Sequence, residues 1–176
     1  MEGKITIQIP FEVRDFIKDQ AICRADHHQH LPQYAGRTYD SIVENHYEGM
    51  LGEWVYAKAI GKDPNFEFLE SANDGGRDFE NGTDVKSCGY GCPDGFKRLL
   101  IVGKKAAIYG SAKRWVGVSI NTGGTEGTIM GFISKERLLK DYNPIKQPGM
   151  DKELFNVFHS CLTSPKHDKE ILEQYR

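Results

Sequence analysis

No run of this chain approaches the 18 or so consecutive apolar residues that a membrane-spanning helix needs, so no membrane partner is expected. The opening Met1-Glu2-Gly3-Lys4-Ile5-Thr6-Ile7 also lacks the long apolar centre of a signal peptide, and a soluble, cytoplasmic protein is expected. Cysteine is sparse, four in 176 residues, which is too few for a dense disulfide framework and suits reduced thiols. Cys88-x-x-x-Cys92, with Cys23-x-x-x-His27 and the nearby His28 and His30, supplies metal-ligand types. There is no second cysteine pair, and closed zinc sites are built from paired ligands, so structural zinc is not expected. A strong excess of one charge is missing too: 23 Lys and Arg stand against 25 Asp and Glu, a net charge of −2. Internal repeats, low-complexity tracts and evident linkers are absent, so residues 1–176 read as a single domain with its core over about 39–140.

The chain has enough apolar residues, 39%, to build a core, and their spacing suggests its elements. Lys4 to Ile9 alternates and reads as a strand, and Phe11 to Ala25 as an amphipathic helix. Tyr39 to Ile60 is the strongest helix, with Val43, Tyr47, Met50, Leu51, Trp54 and Val55 on one stripe. Asp40 or Ser41 is its expected cap, and Gly61 its end. Gly49 and Gly52 are costly inside a helix and suggest close approach of another backbone. Strands are expected at Phe66–Leu69, Leu99–Gly103, Trp115–Ile120 and Thr128–Ser134, then a helix from Ser134 to about Lys140. Closing helices are expected over Asp151–Leu162 and Pro165–Tyr175. Helices, then strands, then helices give an α/β fold of mixed α+β type with one central mixed sheet flanked by helices.

The most informative stretch is Asp78-Phe79-Glu80-Asn81-Gly82-Thr83-Asp84-Val85-Lys86-Ser87. Asn81-Gly82 between short extended runs predicts a hairpin joining Arg77–Phe79 to Thr83–Ser87. On a strand, residues i and i+2 share a face, so Asp84 and Lys86 project together, and Asp78 comes alongside across the turn. Two carboxylates and an ammonium converging in this way suit a hard divalent cation and a positioned water. On the long helix Glu44, Glu48 and Glu53 are the candidate acids. Glu53 borders the apolar stripe, whereas a solvated helix edge accounts for Glu44 and Glu48.

Gly52-Glu53, then Gly76-Arg77-Asp78, then Thr83-Asp84-Val85-Lys86-Ser87 resembles the PD-(D/E)XK nuclease superfamily, the restriction-endonuclease-like fold. There a helix supplies a glutamate, one strand an aspartate and the next strand an acid-x-lysine pair. The resemblance covers roughly Tyr39 to Leu139. Its strand-to-helix ending, Gly131-Phe132-Ile133-Ser134-Lys135-Glu136-Arg137-Leu138, is similar to that of small nucleases common in phages and mobile elements. It implies catalytic roles for Glu53, Asp78, Asp84 and Lys86 in a bacterial or phage-infected cell. Two features depart from the usual pattern. Arg77 stands where the family often has proline, and Asp74 competes with Asp78, although Asp74 precedes two glycines and reads as a turn residue.

The resemblance implies a Mg²⁺- or Mn²⁺-dependent DNA endonuclease. Asp78, Asp84, the Val85 carbonyl and Glu53 would hold the metal, and double-strand cutters of the family often pair two sites in a homodimer. Acidic neighbours oppose a fall in the Lys86 pKa, so positioning and electrostatics are the expected roles for this residue. From Gly95 to Trp115 the basic residues Lys97, Arg98, Lys104, Lys105, Lys113 and Arg114 occur with no acid among them. With Arg77, Lys97, Arg98, Lys104 and Lys105 are the expected phosphate contacts. A catalytically silent nucleic-acid-binding or interaction module of the same fold, and a structure-specific or RNA-cleaving nuclease, are the alternatives.

Overall fold

The computed structural model describes residues 4–31, 34–62, 78–89, 99–146 and 152–174. The architecture is mixed α+β, with two β-sheets. The first sheet has four strands in the order β1 (Ile5–Gln8), β5 (Glu126–Ser134), β4 (Arg114–Ile120), β2 (Thr83–Gly89). β1 and β4 flank β5 antiparallel, whereas β2 runs parallel to β4. A parallel pair requires a crossover, and the chain between these two strands carries β3 (Leu99–Gly103) and the short helix α3 (Lys104–Tyr109).

Helices α1 (Phe11–His28) and α2 (Tyr39–Ala59) pack with the first sheet. Ile17 and Ala21 of α1 join Met50, Leu51, Trp54 and Val55 of α2 over Val85, Val116, Val118, Ile120 and Ile129. Removing this apolar surface from water is the main stabilising term of that layer. Thr38 is the cap of α2 rather than Asp40 or Ser41: its hydroxyl oxygen accepts from the Ser41 N–H at 3.3 Å. Gly61, at φ 65°, ends the helix as expected. The two helix glycines differ. A Cβ on Gly52 would stand 2.7 Å from the Ser87 Cβ, so this glycine lets α2 lie directly on β2, whereas Gly49 has open space.

Three expectations are corrected. The segment expected as a helix from Asp151 forms β7 (Glu153–Phe158), followed by a 3-10 turn at His159–Cys161. β7 pairs with β3 and with the two-residue β6 (Ile145–Lys146) in a second, three-stranded sheet, so β3 does not extend the first one. Asp78 and Phe79 lie in a turn, not a strand. The expected strand at Phe66–Leu69 and the turn containing Asp74 lie outside the described residues.

The helix expected from Ser134 is present as α4 (Lys135–Asp141), with the Ser134 hydroxyl accepting from the Arg137 N–H. A second core joins Leu100 and Val102 of β3, Ala107 of α3, Trp115, Ile133, Leu138, Phe155 and Val157. The chain then returns to the first sheet, where Thr163 and Phe132 exchange backbone hydrogen bonds of 2.9 and 3.0 Å. Gly131 makes this possible: at φ 145° it lies beside a register shift in β4, and a Cβ there would meet Leu162 and the Thr163 carbonyl at 2.6 Å. The return delivers α5 (Lys169–Gln174) to the turn that precedes β2. No helix among the described residues is long and apolar enough to cross a membrane.

Candidate functional site

The turn at residues 78–82 is tightly determined. The Gly82 N–H donates to the Phe79 carbonyl at 2.9 Å, and the Asp78 and Phe79 N–H groups both donate to the Thr83 carbonyl. Gly82 adopts φ 83°, which a side chain would strain, and packs against the Lys113 side chain. The Asn81 side-chain oxygen accepts from the Thr83 N–H at 2.9 Å and closes the turn from inside. The Asn-Gly signal therefore marks a real reversal of the chain, although not a two-strand hairpin among the described residues.

β2 leaves this turn and brings Asp84 and Lys86 to one face. The Lys86 Nζ donates to Asp84 Oδ1 at 2.6 Å, and the Trp115 indole Nε1 donates to Asp84 Oδ2 at 2.9 Å. The Asp84 side chain is 6% exposed and the Lys86 side chain 39%. Asp78 lies at the edge of β2, where its Oδ2 accepts from the Val85 N–H at 2.6 Å. A strand residue points its N–H and its C=O to the same edge, so the Val85 carbonyl faces that edge as well. Glu53, half-buried on α2, is close enough to act on both Asp78 and Lys86. The structure thus gathers Glu53, Asp78, Asp84 and Lys86 at one strand edge.

The electrostatics of this edge are unbalanced. Burial pushes the Asp78 carboxyl up to about 8, reinforced by the negative charges of Glu53 and Asp84 and only partly offset by the Val85 N–H and Lys86. Burial also opposes the Lys86 charge, but attraction to Asp84, their hydrogen bond, and the charges of Asp78 and Glu53 outweigh it, so the lysine pKa rises. Among the described residues three carboxylates thus share one ammonium, and the metal-free protein relieves the repulsion by keeping a proton on Asp78.

A divalent cation fits this donor set in chemistry and in charge. Mg²⁺ and Mn²⁺ prefer oxygen ligands, and a cation stabilises the carboxylate that burial disfavours. Among the described residues no group of three or more His, Cys, Asp or Glu side chains is arranged as a ready cage. Asp84 turns its two oxygens to Lys86 and Trp115, and Asp78 turns one to Val85. Cys88 lies on β2 and Cys23 on the exposed face of α1, while Cys92 lies outside the described residues. The rings of His28 and His46 meet at 5.3 Å between centroids, and burial holds His46 down to about 4.

Glu48 differs from the solvated edge expected of it. It is half-buried, accepts from the Gly89 N–H at 3.2 Å, and has its pKa raised by burial. Glu44 is exposed, as expected.

The basic segment also divides. Arg77, Lys97 and Arg98 lie outside the described residues. Lys104 and Lys105 open α3; Lys104 pairs with Glu153 at 2.6 Å, and Lys105 is exposed. Arg114 is not a surface cation. Its Nε donates to the Thr83 hydroxyl at 2.7 Å and its Nη2 to the Tyr56 hydroxyl. Its Nη1 stands 3.1 Å from the Asp168 Oδ2, an ion pair without hydrogen-bond alignment, and Nη2 is 3.7 Å from Glu170. Burial pushes Tyr56 up to about 12, partly opposed by Arg114. Glu170 in turn accepts from the Asn81 side chain at 2.5 Å. α5 is thereby tied to the turn that carries Asp78. Sequence reasoning read Asn81 as a turn residue but missed Arg114, Asp168 and Glu170 as positioning groups, because their partners Thr83, Tyr56 and Asn81 are distant in the chain.

No family model, no curated protein and no solved structure matches this chain.

Proposed function

We propose that the protein is a metal-dependent endonuclease that hydrolyses phosphodiester bonds in DNA with Mg²⁺ or Mn²⁺. The observation that carries this reading is the unbalanced charge at the edge of β2: Asp78 is pushed up to about 8 beside Glu53 and Asp84, with one lysine among them. Structural ion pairs are normally arranged to avoid such repulsion, whereas sites that bind cations or move protons retain it. When bound, the metal would polarise the phosphate and lower the pKa of a water molecule. Asp78, Asp84 and the Val85 carbonyl would supply its oxygen ligands, with Glu53 completing the set directly or through water. Lys86, whose charge is favoured by its acidic neighbours, would orient the nucleophile and offset negative charge developing on the phosphate. Trp115 holds the second oxygen of Asp84 and fixes its direction.

The test is cleavage of supercoiled plasmid and linear duplex by wild type and by Lys86→Ala in Mg²⁺, Mn²⁺ or EDTA. Metal-dependent nicking or cutting that disappears in the variant is expected. A folded, metal-loaded wild type that leaves both substrates intact would overturn the generic DNA endonuclease reading and leave a structured or RNA substrate, or a catalytically silent binding module.

A further inference from the structure

The basic residues of α3 surround a feature that phosphate contacts alone do not explain. A cavity of about 550 Å³ opens beside this helix, lined by Lys104, Lys105, Ile108, Tyr109, Lys152 and Glu153. Its size suits a ligand as large as a nucleotide. Tyr109 is 83% exposed, with its ring standing in solvent at the cavity wall. Of the four charged side chains among the described residues of the lining, Glu153 is paired with Lys104 at 2.6 Å, which leaves Lys105 and Lys152 as its further cations. They stand against the net charge of −2 of the whole chain. Positive groups around an exposed aromatic face are the physical components of a nucleobase platform, with a π-face for the base and cations for its phosphates.

The platform is held in place. The Lys135 Nζ donates to the carbonyls of Ile108 and Gly110 at 3.2 and 3.0 Å, capping the end of α3 where helix carbonyls carry partial negative charge. Ala107 anchors the other side of the helix in the second core, which also contains Trp115, the donor to Asp84.

The platform is also near the acidic edge. Lys113 follows Tyr109 by four residues, and its N–H donates to the Gly82 carbonyl at 2.7 Å. Four residues span at most about 14 Å, which bounds the separation of Tyr109 from Lys113, the residue hydrogen-bonded to the turn that carries Asp78. In B-form DNA the bases are stacked on one another inside the duplex, so a solvent-standing tyrosine reaches the π-face of a base most readily where that base is unpaired.

We infer that the cavity beside α3 is a subsite for an unpaired nucleotide of a single-stranded nucleic acid segment, with the base stacked on Tyr109 and its phosphates on Lys105 and Lys152. This rests on the nuclease reading for its purpose, but its binding test does not depend on catalysis. It would direct the enzyme toward substrates with a single-stranded tail, flap or junction.

The test is binding of a short fluorescein-labelled oligothymidylate in EDTA, followed by fluorescence anisotropy, beside an abasic oligomer of the same length and a blunt duplex. Tyr109→Ala should weaken oligothymidylate binding about five- to a hundredfold, the worth of one base–aromatic stack, while Tyr109→Trp preserves it. Lys105→Ala and Lys152→Ala should each reduce the salt dependence by about one phosphate contact. The abasic oligomer should bind wild type as weakly as oligothymidylate binds Tyr109→Ala. Unchanged binding by a folded Tyr109→Ala, equal binding of abasic and thymidine oligomers, or a loss confined to blunt duplex would overturn the subsite. A wild type that binds oligothymidylate through Tyr109 but cleaves nothing would refute the nuclease reading and leave the subsite standing. Metal-dependent cleavage with no role for Tyr109 would do the reverse.

Discussion

Two polar clusters meet at the turn over residues 78–83, and they resolve burial in opposite ways. On one side, Arg114 sets a guanidinium against Asp168, and Thr83, Tyr56, Glu170 and Asn81 complete a hydrogen-bonded network. Asp168 is 1% exposed, yet it has a cation at 3.1 Å and its other oxygen accepts from the Glu170 N–H. On the other side, Asp84 is nearly as buried, at 4%, but it shares one lysine with two further acids, and Asp78 is pushed up to about 8. The first cluster sets its buried acid directly against a guanidinium, with Glu170 partly exposed beside it. Among the described residues the second is short of positive charge, and the first meets it at Asn81 and Thr83.

The largest effect is expected from breaking the balanced side. Arg114→Met leaves Asp168 buried without its cation and should cost about 3–5 kcal/mol in urea unfolding, whether or not metal is present. The unbalanced side should respond in activity instead. Lys86→Ala should lower the cleavage rate about 10²- to 10³-fold, and the stability it loses by leaving Asp84 without its ammonium should be recovered on adding Mg²⁺, unlike that of Arg114→Met. If both substitutions merely unfold the protein, the distinction between the clusters fails.

Asp78→Asn sharpens the contrast further, because it removes the repulsion. It should stabilise the metal-free protein by about 1–2 kcal/mol at neutral pH while abolishing cleavage. The pH dependence follows the same logic. Asp78 titrates near 8 when folded, against 3.8 for an ordinary aspartate. Between those values the folded chain holds a proton that the unfolded chain has released, so this group makes stability fall as pH rises. His46 works in the opposite sense: lowered from 6.5 to about 4, it makes stability rise with pH across that lower window. The Asp78 slope is therefore isolated from that of His46 between about pH 6.5 and 8. Metal-free wild type should lose stability across that window in chemical denaturation, and Asp78→Asn should lose markedly less.

A smaller effect is expected at the turn itself. Gly82→Ala forces a side chain into φ 83° and against Lys113, and should cost about 1–2 kcal/mol. The smallest is expected for Asn81→Ala, about 1 kcal/mol, from loss of its bonds to Thr83 and Glu170. Its cleavage rate should fall more than its stability, since the turn still forms but Asp78 is less firmly aimed.

These two clusters were not equally legible in the sequence. Asp78, Asp84 and Lys86 lie within nine residues, and turn chemistry with strand alternation is enough to bring them together. Glu53 could be read from its place beside a strong helical stripe, and Gly52 from the cost of glycine inside a helix. Arg114 could not be read in the same way. Its partners Tyr56, Thr83, Asp168 and Glu170 are 31 to 58 residues away in sequence, and in isolation it counts as one more surface cation. β7 was misread for a related reason. Leu154, Phe158 and Leu162 recur every four residues and imitate a helix, while the buried pair Phe155 and Val157 carries the strand period. The strand forms because β3, some fifty residues earlier, supplies its ladder. α3 is too short to show a period at all.

The central claim is that, among the described residues, the edge of β2 carries less positive than negative charge, a deficit that a divalent cation would offset. It is tested most directly by following the Asp78 side-chain carboxyl resonance by NMR from pH 4 to 10, without metal and then with Mg²⁺. The account predicts a midpoint near 8 that moves down by more than one unit when Mg²⁺ is added. A midpoint near the ordinary aspartate value, unmoved by Mg²⁺, would contradict it.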